Sequence, residues 1–354
     1  MKIAVLVSGG VDSSVAMRLL QDEGHDLTAF YLKIWLADEL SFLGDCPWED
    51  DLSYARAVCD QANIPLEIVP FQKEYWEQVV GYTISEAKAG RTPNPDMLCN
   101  ARVKFGAFYE YIENYSSVSF EKIATGHYAQ TENIDGLSYL KITPDEIKDQ
   151  TYFLSQLSQK QISKAVFPIG KFEKNEVRKL ANKYNLANAQ RKDSQGICFL
   201  GKIPFDEFLE YHLGKQSGNL IEYETGKILG QHDGFWYFTI GQRRGIRLSG
   251  GPWYVAAKNP EKNEVFISHA EHKELTRRDF FEVGNLNWIS GVKSENTNLK
   301  VKVRHGTRMY SASIDYLDDN KLQVSLKDND QGIASGQFAV FYDGQFCLGG
   351  GIIL

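Results

Sequence analysis

Apolar and polar positions in the first third of the chain follow two alternating periods. Ile3 to Val7 is an unbroken apolar run, the pattern of a strand buried on both faces. It stops at Ser8-Gly9-Gly10, and from Ser13 to Gln21 the residues Val15, Ala16, Leu19 and Leu20 recur at helical spacing until Gly24. The exchange then repeats. Leu27 to Ile34 predicts a second strand, Asp51 to Ala62 a helix through Leu52, Ala55, Val58 and Cys59, and Leu66 to Val69 a third strand. Phe105, Phe108, Tyr109 and Ile112 form another helical stripe, and Lys122 to Thr125 reads as a strand running into Gly126-His127-Tyr128. Strands alternating with helices predict an α/β fold with a doubly wound parallel sheet, whose ligands sit beyond the C-terminal strand ends. Both Ser8 to Ser13 and Gly126-His127 fall there.

Further along, Val177, Leu180, Ala181 and Tyr184 mark a helix over Glu173 to Asn185, and a shorter one is expected after Pro204. From about Gly218 the texture changes. Phe235 to Phe238, Trp253 to Val255, Val265 to Ile267 and Val301 to Val303 read as short strands separated by Gly, Asn and Asp turns. The final run, Ser311 to Leu354, fits a small antiparallel barrel. The expected division is an α/β unit over residues 1–202, a small, mainly β central unit over 203–275, and a C-terminal β-barrel-like unit over 276–354.

A length of 354 residues allows two or three cores, and 43% hydrophobic with 12% aromatic residues is the composition of an ordinary soluble protein. The first apolar run is too short for a signal peptide or a membrane span, and no uncharged apolar stretch elsewhere is long enough, so a cytoplasmic protein with no membrane partner is expected. Five cysteines with no Cys-x-x-Cys pair do not make a disulfide scaffold. Cys46 and Cys59 lie near Glu49, Asp50 and Asp51, half a metal site at most, and no fixed metal is expected. The net charge of −7 is unevenly spread: residues 1–150 carry 12 basic and 24 acidic side chains, residues 151–250 carry 15 and 9. Arg191-Lys192 and Arg243-Arg244 with Arg247 are local clusters suited either to phosphates or to a solvated face.

The turn after the first strand has the chemistry of a phosphate cradle. Gly9 and Gly10 can take conformations closed to other residues, Ser8 and Ser13 add hydroxyls, and the following helix points its positive end at the same spot. No Lys-Ser or Lys-Thr follows the glycines, so this is not the Walker A pattern. Ser8-Gly9-Gly10-Val11-Asp12-Ser13 instead resembles the PP-loop of enzymes that split ATP into AMP and pyrophosphate.

Two cysteines stand in ordered settings. Cys99 follows the two-proline turn Thr92-Pro93-Asn94-Pro95-Asp96, expected to be an exposed loop at a helix mouth, where the dipole and nearby Arg102 and Lys104 favour a thiolate. Cys198 lies in the basic, glycine-flanked run Arg191 to Gly201. With the loop, with Thr125-Gly126-His127-Tyr128, Lys148-Asp149-Gln150-Thr151-Tyr152-Phe153-Leu154, Asp193-Ser194-Gln195-Gly196-Ile197-Cys198-Phe199, Thr239 to Gly245 and Ser335-Gly336-Gln337, the chain resembles the tRNA-specific 2-thiouridylases, the MnmA/TrmU family, along nearly its whole length.

The resemblance implies ATP over Leu6, Val7, Ser8, Gly9, Gly10, Val11, Asp12 and Ser13, with Leu32 and Gly126 near the adenosine and Mg2+ accompanying the nucleotide. It implies adenylation of the C2 oxygen of a wobble uridine in a tRNA anticodon loop, then replacement of that oxygen by sulfur from a persulfide on Cys198. Cys99 is then the nucleophile that helps release the sulfur, through a transient disulfide with Cys198, and Asp96 a candidate acid or base beside a flipped-out uracil. Asn94, Pro95 and Gln337 are expected at the target base, and His127, Lys148, Asp149, Gln150, Arg304 and His305 at the tRNA. A sulfur-donor protein, a cysteine desulfurase or a relay, is an implied partner.

An ammonia-using amide synthetase shares the loop but has no need of Cys99 or Cys198, and a non-catalytic RNA-binding protein has no need of the intact loop. If the basic middle segment grips tRNA phosphates, tRNA affinity falls steeply with added salt, and replacing Arg243 and Arg244 by alanine lowers the slope of log K against log salt by about 0.9 per lost contact in duplex regions. A slope unchanged in the double variant assigns both arginines to the protein's own surface.

Overall fold

The structure is a computed structural model that describes residues 1–34, 48–114, 118–193 and 203–354, the side chains of residues 273, 275 and 276 aside. The first unit contains strands β1 (Lys2–Leu6), β2 (Asp26–Lys33), β3 (Leu66–Pro70), β4 (Lys122–Ala124), β5 (Gln130–Ile134), β6 (Leu137–Lys141) and β7 (Ala165–Val166). Five of them make a parallel sheet in the order β3-β2-β1-β4-β7. The chain moves outward from β1 to β3 and then returns to the other side of β1. The order therefore reverses between β1 and β4, and the turns after these two strands open the crevice in which such sheets bind ligands.

Helices cover both faces, as the apolar runs require. Helix Val11–Asp22 buries Val15, Ala16 and Leu20, and helix Trp48–Ala62 buries Leu52, Ala55, Val58 and Cys59 on the expected stripe. On the opposite face Phe108 meets the rings of Phe30 and Phe71 edge-on, with centroids 5.1 and 6.5 Å apart. The stripe that starts at Phe105 belongs to a longer helical run that begins at Pro95 and includes a π-helical stretch, Cys99–Ala107. The two-proline turn is thus not an exposed loop: Pro95 sits at the first helical position, where a missing N–H is harmless, and Met97, Leu98 and Cys99 are buried.

The central unit is a four-stranded sheet ordered β10-β11-β8-β9, with β8 at Gly218–Glu222, β9 at Ile228–His232, β10 at Trp253–Asn259 and β11 at Glu264–His269. Phe235 to Phe238, expected as a strand, is a 3₁₀ turn over Phe235–Tyr237 that follows Gly234 at φ 148° and buries Phe235 and Phe238 in the core of this sheet. The last unit runs from β12 (Arg278–Trp288) through β13 (Asn298–Lys302), β14 (Tyr310–Tyr316), β15 (Lys321–Asp330) and β16 (Phe338–Asp343) to β17 (Phe346–Ile353). It closes into a six-stranded antiparallel barrel because β12 pairs with both β15 and β17. The barrel therefore starts well before Ser311. In β17, Cβ atoms at Gly349 and Gly350 would lie 2.0 Å from the Asn287 carbonyl oxygen and 2.2 Å from that of Ala339, so only glycine lets both neighbours approach.

The hairpin β5–β6 breaks the strand-helix alternation. It leaves the first unit and adds to the barrel, Leu140 pairing with Cys347 and Lys141 with Phe346. Among the described residues no helix is long and apolar enough to cross a membrane.

Candidate active site

The turn after β1 takes its shape from its own hydroxyls. Gly9 has φ 73°, and a Cβ there would lie 2.1 Å from the Asp51 carbonyl oxygen. The Ser8 amide donates to Ser13 Oγ at 3.2 Å, and the hydroxyls of Ser13 and Ser14 donate to the Gly10 carbonyl at 3.1 and 2.9 Å. The helix then starts at Val11 with Asp12 in its first turn. Leu6, Val7 and Val11 are buried, the Val7 N–H donates to the Phe30 carbonyl at 2.9 Å, and Leu32 is half-buried at the end of β2. From the neighbouring strand end Gly126 presses on this turn so closely that a Cβ would lie 2.5 Å from the Ser13 nitrogen.

Asp12 does not stand alone. Its carboxylate accepts from Lys174 Nζ at 2.7 and 2.8 Å and from the Tyr128 hydroxyl at 3.0 Å. Burial, with Asp12 adding to it, raises the Tyr128 phenol far above its ordinary range, so it remains a donor. The same lysine reaches Asp193 at 2.9 Å, where Lys148 also binds at 2.9 Å and Arg178 makes a third contact. Burial opposes ionisation of Asp193, but the hydrogen bonds from Lys174 and Lys148 outweigh it and hold the carboxyl well below the usual carboxylate range. Three cations meet these two carboxylates, and a third, Asp145, accepts from the backbone amides of Lys148 and Lys174, so the cluster balances its own charge while holding the Lys174 ammonium at the turn, where a polyphosphate can meet it. Asn188 and Arg191 add a second clasp: both donate to the Gly9 carbonyl, at 2.8 and 3.1 Å, and Arg191 pairs with Asp51. Arg191 is therefore engaged with the turn.

Lys174, Arg178 and Asn188 join the site without being among the residues expected there. A signal was present in Lys174 and Arg178, because cations in the first turns of helix Lys174–Lys183 oppose its dipole and call for an external anion.

A second cluster lies where the three units meet. Thr92 accepts through its carbonyl from Gln337 at 3.4 Å, donates its amide to Ser335 at 2.8 Å and places its hydroxyl 3.4 Å from that of Thr239. The Asn94 amide lies 3.4 Å from Gln337 Oε1, and Gln337 also donates to the Pro93 carbonyl at 3.2 Å. The buried Tyr152 hydroxyl, within hydrogen-bonding range of Asn94, donates to Phe338 at 3.1 Å. Asp96 is half-buried, one turn before Cys99. Asn100 donates to the Phe153 carbonyl at 3.2 Å and accepts from Lys104 at 3.1 Å. The His305 ring lies 4.5 Å from that of Phe153, and Arg304 pairs with Asp330 at 2.6 Å.

His127 is buried, with Nδ1 at 2.7 Å from Thr125 Oγ1. Burial and then the charge of Lys104 push its imidazolium well below the ordinary value, so it is neutral at physiological pH and acts through hydrogen bonds. Asp149, expected at the tRNA, is instead buried: it accepts from Thr143 N and Thr151 Oγ1, at 3.0 and 2.5 Å, and faces Lys302 of the barrel. Gln150 accepts from the Tyr128 amide at 2.9 Å, turning its side chain toward the first cluster. Cys198 and Cys46 lie outside the described residues. Burial, reinforced by Asp60, pushes the Cys59 thiol up to about 12, and its sulfur lies 3.9 Å from that of Met17, the setting of a core residue.

Family models match the chain in three consecutive blocks: a tRNA methyl transferase HUP domain over residues 1–202, a tRNA methyl transferase PRC-barrel domain over 206–269 and an aminomethyltransferase beta-barrel domain over 278–353. The tRNA-specific 2-thiouridylase MnmA of Porphyromonas gingivalis is 42% identical, with 100% of this chain and 99% of the relative covered. That of Parabacteroides distasonis is 43% identical with the same coverage, and the tRNA-specific 2-thiouridylase MnmA 1 of Bacteroides thetaiotaomicron is 41% identical, again covering 100% of this chain and 99% of the relative. Among solved structures, a 4-thiouridine synthetase–RNA complex with bound ATP is 14% identical with a TM-score of 0.34, covering 60% of this chain and 50% of that one. With end-to-end matches above 40%, this chain belongs to the tRNA-specific 2-thiouridylase family.

Proposed function

We propose that this chain uses ATP to replace the C2 oxygen of a tRNA wobble uridine by sulfur. The observation that carries this reading is the turn at the sheet's switch point: a glycine-rich anion cradle flanked by the ammoniums of Lys174 and Lys148, in a chain that matches thiouridylases along its whole length. The nucleotide phosphates take the cradle, and Lys174 and Lys148 are placed to meet the charge of the departing pyrophosphate. The residues fit a magnesium ion travelling with the nucleotide through Asp12, an oxygen ligand at the cradle, once Lys174 leaves it.

The uracil is read at the second cluster, where Asn94 and Gln337 offer amides and Asp96 a carboxyl group. A uridine in an anticodon loop is already single-stranded, so splaying it into such a pocket costs less than opening a duplex. The C2 oxygen attacks the α-phosphorus and pyrophosphate leaves. The outer sulfur of a Cys198 persulfide then attacks C2, and AMP departs with the oxygen. Attack by the Cys99 thiolate on the inner sulfur frees the thiouridine and leaves a Cys99–Cys198 disulfide, which a thiol reductant reopens. The persulfide comes from a sulfur-donor protein. The anticodon loop lies along the face that carries Arg304, His305 and the exposed Arg243 and Arg244.

Protein, ATP, magnesium, a persulfide donor and unmodified tRNA together yield 2-thiouridine, read by mass spectrometry of digested tRNA, and Cys198→Ser abolishes the product. Thiolation undiminished in that variant overturns the persulfide assignment. Gly126→Ala forces the β4 turn off the Ser13 backbone, and a folded variant binds an ATP analogue about tenfold or more weakly, the response to a misplaced binding surface. Unchanged nucleotide affinity moves the adenosine away from Gly126.

A further inference from the structure

A lysine buried in a β-barrel wall is costly unless an opposite charge meets it. Lys302, at the end of β13, has 2% of its side chain exposed, and its ammonium lies 3.7 Å from Asp149, a residue of the first unit with 4% exposed. The ammonium also lies 5.5 Å from the centre of the Tyr342 ring, and the Tyr342 hydroxyl is 3.2 Å from Thr151. Asp149 accepts from the amides of Thr143 and Thr151 at 3.0 and 3.3 Å, so the position of its carboxylate fixes the segment around it.

The two residues beside Asp149 point to the cradle. Lys148 binds Asp193 at 2.9 Å. Gln150 donates its amide to the Tyr128 carbonyl at 2.8 Å and accepts from the Tyr128 amide at 2.9 Å, while the Tyr128 hydroxyl bonds to Asp12 at 3.0 Å. On the other side of the pair, the chain runs from Lys302 directly to Arg304 and His305, and the His305 ring packs on Phe153, three residues beyond Gln150. One short segment is therefore held at the nucleotide cradle and at the barrel's outward-facing turn, and the buried pair lies between the two.

We propose that Lys302 is a positioning residue that couples tRNA binding at the barrel to nucleotide binding at the cradle. The inference rests on the function proposed above. RNA held at Arg304 and His305 orders the end of β13, Lys302 fixes Asp149, and Asp149 sets Lys148 and Gln150 in the arrangement that nucleotide binding also favours. Glue between two units needs no charge, because an apolar pair of similar volume holds a seam at least as well. A pair whose strength depends on the exact placement of both partners transmits position as well.

The test is calorimetric binding of α,β-methylene ATP with and without saturating unmodified tRNA. In the wild type, tRNA tightens the nucleotide by about fivefold or more, and the nucleotide tightens tRNA by the same factor. In K302M that factor falls to within about twofold of unity although both ligands still bind. If K302M, which strands the Asp149 charge, does not fold, K302M/D149N strands no charge, keeps one acceptor oxygen for Thr151 at the loss of the Thr143 bond, and is read in the same way. A wild type that binds both ligands without mutual effect, or a folded variant that keeps the full factor, overturns the coupling. A wild type that binds neither ligand contradicts the proposed function instead.

Discussion

The ammonium of Lys174, shared between Asp12 and Asp193, is the contact on which the site is organised. Asp12 belongs to the turn after the first strand, and Asp193 ends the described segment that leads toward Cys198. Without a cation between them, two carboxylates so placed repel one another, and only the turn's own hydroxyls and the clasp of Asn188 and Arg191 on Gly9 still hold it. A hydrogen bond to a charged group is worth about 1.5–3 kcal/mol, and this ammonium makes several. Lys148 and Arg178 complete the neutralisation of Asp193.

The sheet order makes this possible. Because the strand order reverses between β1 and β4, Gly126 and Tyr128 arrive beside Ser13 and Asp12 although more than a hundred residues separate them. The barrel is brought to the same place by the hairpin β5–β6 and by the contacts of Thr92 and Gln337. The β-rich half is thus built onto the first unit beside the crevice. Breaking a buried ion pair such as Lys302–Asp149 from one side costs about 3–5 kcal/mol, so the seam is also a large contribution to how the units hold together.

The sheet and the cradle were legible in the sequence because each rests on local chemistry: an apolar run, a glycine turn, a helical stripe. The alternation predicts parallel strands but not their order, and β1 to β4 differ from the expected strands by at most one residue at an end. What was not legible depends on distant partners. Asp135 and Gly136, with φ 51° and 83°, are the left-handed pair of a tight hairpin turn, but polar flanks such as Gln130, Glu132 and Asn133 hid the strands they join. Phe235 to Phe238 has strand composition, yet packing of Phe235 and Phe238 into the central core selected a 3₁₀ turn. Asp149 looked like a surface charge because its counter-ion, Lys302, lies over a hundred and fifty residues away. Lys174 was passed over for the same reason, its anions lying elsewhere in the chain.

The central claim is that the cradle turns a uracil oxygen into a leaving group. Its most direct test is a single-turnover reaction on tRNA whose target uridine carries 18O at C2, followed by mass spectrometry of the nucleotide products. The label is expected in the phosphate of AMP, in step with 2-thiouridine formation. Label found in water or in pyrophosphate, with unlabelled AMP, contradicts it.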